Sequence, residues 1–169
     1  RLKGIIGSTV SEYIFRKAHF LICNRFQTFD LAWGSDDATW IKLGKKNGFI
    51  TIQNSKVKWR KSLFNISPNN NENILYRKLN SQIQFAEWII EETKKDAIQI
   101  ELNQLRKLLE FWFIEDVKES LQFLSFTATI KILTMFYNKL YAKKITIKNI
   151  AIFYFLKNQF LKMNNGKKF

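Results

Sequence analysis

Acid–base chemistry on this chain would have to come from very few side chains. Glu115 and Asp116 stand side by side, but consecutive residues on a helix do not face each other, and no second acid–base group accompanies them. His19 is the only histidine and Cys23 the only cysteine, which excludes a histidine-rich metal site, a clustered Cys/His zinc site and an internal disulfide. Both are read as structural, Cys23 as a core thiol in a reducing compartment. The expectation is a protein without catalytic residues, metal or cofactor, and not an enzyme.

The cations are far more suggestive. Lys42, Lys45 and Lys46 fall within a few residues of one another, and Lys56, Lys58, Arg60 and Lys61 follow on the next element, with Arg16 and Lys17 upstream. Lysine and arginine at this density supply phosphate contacts. The formal net charge is +14, unevenly spread: residues 1–72 carry an excess of +7, residues 73–135 of −1, and residues 136–169 of +8. A near-neutral middle between two cationic ends favours nucleic acid or an anionic membrane over a small acidic substrate. No run reaches the ~18 apolar residues of a membrane span.

These cations need elements to hold them. Apolar spacing predicts a helix over residues 8–20, with Val10, Ile14 and Phe15 on one face, and a second from residue 37 or 38 to about 46 that turns Trp40, Ile41 and Leu43 inward and ends at Gly48. Residues 21–37 resist assignment. In residues 48–70, Ile50 and Ile52 alternate, Gln53-Asn54-Ser55 interrupts, and Val57 and Trp59 resume the alternation, which predicts a β-hairpin with a cationic second strand. A two-stranded hairpin is marginal alone, so its apolar face must lie on the helices. Helical spacing continues over residues 81–93, 99–112, 127–141 and 146–163, ahead of a basic tail at 164–169. In the third and fourth of these helices, Glu87, Glu91, Glu92 and Glu101 read as a solvated or partner-facing side.

At 169 residues, 46% of them hydrophobic, the chain is long enough for a core and too apolar for general disorder. The expected class is α+β, mostly helical, with a small helix–helix–β-hairpin module. Three regions are expected: residues 1–80 as an RNA-binding module, 81–140 as helices completing the domain, and 141–169 as a C-terminal helix and basic tail. Sixteen Phe, 22 Lys against 6 Arg, and only 6 Gly suggest an AT-rich, organellar type of genome. Neither an initiator Met nor a signal segment is recognisable, so the sequence reads as starting partway through a longer product.

Helix, helix and tight hairpin in this order resemble the ribosomal protein S-four family, which binds small-subunit rRNA. The family pattern H-G-x-V-x-V-N-G-x-x-V is similar to Asn47-Gly48-Phe49-Ile50-Thr51-Ile52-Gln53-Asn54-Ser55-Lys56-Val57, and V-K-P-G-D to Ile66-Ser67-Pro68-Asn69-Asn70. Ile14-Phe15-Arg16 and Phe20 fit the second half of the family's first helix, whereas Thr9-Val10-Ser11 replace its R-L-D. Trp112-Phe113-Ile114-Glu115-Asp116 resembles W-L-E-V-D loosely, and Leu133-Thr134-Met135-Phe136-Tyr137-Asn138-Lys139 resembles I-V-E-F-Y-S-R better. The resemblance spans residues 9–140 with an insertion near 21–34, and residues 141–169 have no counterpart in it. The hairpin turn also departs from the family, with Gln53-Asn54 where it uses Asn-Gly.

The resemblance implies a structural constituent of the small subunit of a mitochondrial ribosome, in the matrix. Its partners would be small-subunit rRNA and neighbouring ribosomal proteins. Arg16, Lys17, Lys42, Lys45, Lys46, Lys56, Lys58, Arg60 and Lys61 would form the RNA-binding surface. Two rival readings are a matrix-side accessory subunit of a respiratory or ATP synthase complex, and an RNA-modifying enzyme carrying the same module. The latter lacks any catalytic constellation in residues 81–169.

Overall fold

The computed structural model describes residues 10–58, 66–95 and 102–141. Five helices occur there: α1 (Lys17–Ile22), α2 (Ser35–Gly44), α3 (Glu72–Lys95), α4 (Leu102–Ser120) and α5 (Phe126–Tyr141). Short 3-10 turns at Val10–Glu12 and Asp30–Ala32 precede α1 and α2.

The fold is organised by α3, 24 residues and so roughly 36 Å long. Its start is fixed by Asn71, whose side-chain oxygen accepts the Asn73 amide at 3.0 Å. Glu72 in the first turn and Lys94 and Lys95 in the last complement the helix dipole. Leu75, Leu79, Ile83, Ala86 and Ile90 recur at three- and four-residue steps and bury one stripe. Lys78, Ser81 and Phe85 bury a second, so α3 is covered on two sides.

Against the first stripe lie α4, burying Leu105, Leu109, Phe113 and Val117 every fourth residue, and α5, burying Ile132, Leu133, Phe136 and Leu140. At the centre Phe113 and Phe136 stack with centroids 4.0 Å apart and rings parallel within 1°. Ser125 begins α5 by accepting the Ala128 amide on its hydroxyl, while its own amide donates to Glu72 at 2.7 Å, which ties the start of α5 to the start of α3. At the other end Glu110 accepts both the Tyr137 and Tyr141 hydroxyls at 2.7 Å. Burial, followed by that carboxylate, pushes both phenols above their ordinary range.

The second side of α3 receives the N-terminal half. Asp30 takes a fork from Arg77, Nε at 2.8 Å and one terminal nitrogen at 2.7 Å, and its backbone carbonyl accepts the Ser81 hydroxyl at 2.7 Å. The Arg77 fork holds the Asp30 carboxyl below its ordinary value. Phe29 meets Phe85 edge-on at 6.2 Å.

The α+β expectation is corrected: the described residues are helical and contain no strand. The turn of the expected hairpin does form, at Gln53-Asn54, with Asn54 in the left-handed region at φ 60°. Its arms do not pair. Ile50 is 93% and Ile52 62% exposed, so the face meant to prop the hairpin lies on nothing. Neither Ile50 nor Ile52 packs on a helix, and an unsupported two-stranded ladder does not hold.

Helix boundaries also differ, with α3 starting at Glu72 instead of residue 81 and α4 running to Ser120 instead of residue 112. The helix expected over residues 8–20 is interrupted at 13–16 and resumes as α1, because Tyr13 and Phe15 leave the helical path to pack on Trp40. The second helix starts earlier than expected, after Gly34 in the left-handed region (φ 80°), where Ser35 accepts the Phe29 amide at 2.8 Å. Gly48 closes it as expected, at φ 68° with its amide on the Gly44 carbonyl. The helix expected over 146–163, the basic tail, Arg60 and Lys61 lie outside the described residues.

Candidate nucleic-acid interface

The platform beneath the expected cations is aromatic. Phe26 meets Phe20 at 4.8 Å, Phe20 meets Phe15 at 5.1 Å, Phe15 meets Trp40 at 5.5 Å, and Trp40 stacks on Tyr13 at 4.4 Å. Tyr13 then meets Phe49 edge-on at 5.7 Å. This ladder joins α1, α2 and the segment after α2, and its two end rings, Phe26 and Phe49, are exposed. Phe49 also covers Gly44, where any Cβ would collide with its ring. His19 is structural, its ring Nε2 donating to the Leu43 carbonyl at 3.0 Å, with the Cys23 sulfur 3.6 Å from the same nitrogen.

The nine expected cations divide into three groups. Lys42 and Lys45 turn towards protein: Lys42 Nζ donates to the Arg25 carbonyl at 3.3 Å, and Lys45 pairs with Glu92 on α3 at 3.3 Å. Glu92 is in turn held below its ordinary pKa by Lys95 first and Lys45 second. Arg16, Lys17, Lys46, Lys56 and Lys58 are exposed, Arg16 just ahead of α1 and Lys56 and Lys58 beyond the Gln53-Asn54 turn. Arg60 and Lys61 fall outside the described residues. The exposed cations thus stand at the start of α1 (Arg16, Lys17), in the turn after α2 (Lys46) and on residues 48–58 (Lys56, Lys58), a segment that also exposes Phe49, Ile50, Ile52 and Val57.

Two features escaped the sequence reading. Arg25 adds an exposed cation, held beside Asn24 with both residues in the left-handed region, in the stretch whose spacing matched neither helix nor strand. Asp116, set aside as one of an adjacent pair, turns out to be mostly buried and accepts the side-chain amide of Gln82. Desolvation raises its pKa to about 6, with Glu119 and Glu115 adding to the rise and the Gln82 bond opposing it.

Neither a family model, nor a curated protein, nor a solved structure matches this chain. Among the described residues no helix is long and apolar enough to cross a membrane, and no cluster of three metal-ligating side chains occurs.

Proposed function

We propose that this chain is a structural constituent of the small subunit of a mitochondrial ribosome, in which its N-terminal half binds folded small-subunit rRNA. The observation that carries this reading is the segment at 48–58, which places exposed lysines among exposed large apolar side chains and has no core of its own. A segment of that composition is ordered by a partner, and its charge selects a polyanion. The exposed rings Phe26 and Phe49 suit unpaired bases at the edges of a folded RNA. The cationic ends of the chain support the same partner. Phosphate contacts supply affinity and position here, and RNA shape supplies selectivity.

Titration of the chain with a structured small-subunit rRNA fragment at several salt concentrations tests this. Neutralising about six to eight phosphates gives a log–log salt slope of order −5 to −7. Lys46→Glu, Lys56→Glu and Lys58→Glu together are expected to weaken binding at least about tenfold and to flatten the slope by about three. Lys45→Glu is expected to act also through its pair with Glu92, so its effect on binding is read beside its melting temperature. Unchanged binding in the triple variant, or a slope near zero, sinks the reading. In the native particle, a respiratory or ATP synthase subunit lying against residues 42–58 would replace it.

A further inference from the structure

Phe49 is exposed and yet held in place. It is 58% exposed, but its ring meets Tyr13 edge-on at 5.7 Å and its tip lies against Gly44 in the last turn of α2. Tyr13 is itself stacked on Trp40, which is buried. Two contacts therefore anchor the ring to α2.

Gly44 makes that placement possible. A glycine weakens a helix relative to alanine, and Gly44 lies in helical backbone, since only Gly34 and Gly48 among the described glycines adopt a positive φ. No turn requires a glycine there. The ring does: a Cβ at Gly44 would collide with Cε2 and Cζ of Phe49. A helix position is thus given up to seat an aromatic ring that stays in solvent, where its apolar surface costs hydration free energy that a ligand removes.

The neighbours of the ring select the ligand. Lys46, three residues before Phe49, is exposed, as are Lys56 and Lys58 on the segment that follows it. An aromatic ring beside cations offers stacking and phosphate contacts together, which is how unpaired nucleotides are held. In a continuous A-form duplex every base is already stacked on its neighbours, so a ring on a protein surface reaches only bases that leave the helix.

We propose that Phe49 is the stacking platform for one unpaired base, with Lys46 at a neighbouring phosphate, so that this surface prefers RNA carrying a bulged nucleotide to continuous duplex. This preference presupposes the RNA reading above and adds to it the kind of RNA that is chosen.

Three RNAs titrated against the full chain test it: a fully paired duplex, the same duplex with one bulged nucleotide, and the bulged duplex with an abasic residue at the bulge, which keeps the phosphate and removes the base. The bulged duplex is expected to bind about five- to a hundredfold more tightly than the other two, the range of one base–aromatic stack. Stacking releases no counterions, so that ratio holds as salt rises while all three affinities fall. Phe49→Ala is expected to erase the ratio and keep the salt slope, whereas the triple lysine variant flattens the slope. Gly44→Ala keeps every ring and charge but displaces the Phe49 ring; it is expected to lower the ratio at least about twofold, with a melting temperature unchanged or higher. Phe111→Ala removes a ring that is 60% exposed on α4 and is expected to leave the ratio intact. Equal binding of the bulged and abasic duplexes overturns the proposal, as does a ratio unchanged in Phe49→Ala or Gly44→Ala, or one lost equally in Phe111→Ala. In each of those cases a preserved salt slope leaves the RNA reading standing. Absence of binding to all three RNAs, or a slope near zero, removes the RNA reading itself and the proposal with it.

Discussion

Asp116 carries a cost that the rest of α4 does not. Its carboxyl titrates near pH 6 in the fold instead of near 3.8, chiefly because it is desolvated. Glu115 and Glu119 on its own helix add repulsion, while Gln82 donates to it from α3 and Lys78 lines a cavity with it from the same helix. The sign follows from which form folding favours. A carboxyl with a raised folded pKa stabilises the fold below its unfolded pKa, and that stability is lost as pH climbs from about 4 to about 6. Asp116→Asn removes the ionisable group, so near pH 7.5 it is expected to be more stable than the parent by about 1–3 kcal/mol, with the difference closing towards pH 4. Urea midpoints at both pH values measure this, and an equal offset at the two would refute it. Adjacency misled the sequence reading here only in part. Glu115 and Asp116 do diverge, Glu115 to Lys118 at 2.6 Å and Asp116 to Gln82, so they are no catalytic pair. The missed signal was register: Asp116 lies three residues beyond Phe113 and one before Val117, on the edge of a buried stripe where an acid has to find a partner.

Elements differ in how much of their structure their own residues dictate. The stripes of α3, α4 and α5 are periodic and were legible as helices, although α3 begins nine residues before the expected residue 81: Leu75 and Leu79 already carry its stripe, and Asn71 and Glu72 mark its start. Their packing makes Phe136 a sensitive position: Phe136→Ala removes the ring stacked on Phe113 and is expected to cost about 3–5 kcal/mol. Against a total of about 5–15 kcal/mol, that is a large shift of the urea midpoint, and a change below about 1 kcal/mol would mean the stack is not central. The N-terminal elements were less legible because their order is borrowed. The path through residues 13–16 follows from Trp40, far along the chain, and the position of the 3-10 turn Asp30–Ala32 follows from Arg77. Asp30→Asn weakens that fork without touching the bundle core. Amide exchange is expected to speed up across residues 17–44 while α4 and α5 keep their protection; a uniform change across all the helices would contradict this division. The hairpin failed for a related reason. Its alternation is real, but period-two spacing specifies a strand only where a surface waits to receive one face, and here none does.

At the scale of the whole molecule, the two halves solve the burial problem differently, and that difference carries the functional argument. The helices α3 to α5 bury a continuous core, and their charges pair internally, as in Lys94–Glu91, Lys95–Glu92, Lys118–Glu115 and Lys139–Glu87. Three of these pairs lie within the near-neutral middle at residues 73–135, and the fourth brings Lys139 of the cationic C-terminal stretch onto Glu87. Among the described residues, the half before α3 keeps Arg16, Lys17, Arg25, Lys46, Lys56 and Lys58 in solvent together with several large apolar side chains, including Ile14, Ile22, Phe49, Ile50, Ile52 and Val57. Under the proposed function, folded rRNA is the molecule that completes this surface. Adding a structured small-subunit rRNA fragment is therefore expected to slow amide exchange most strongly over residues 45–58, next over α1, and least within α4 and α5, whose hydrogen bonds are already closed. The same addition in the Lys46, Lys56 and Lys58 triple charge-reversal variant is expected to leave residues 45–58 exchanging as in the free chain. Protection that appears first on α4 or α5 would move the RNA surface to the bundle and leave the exposed segment to a different partner.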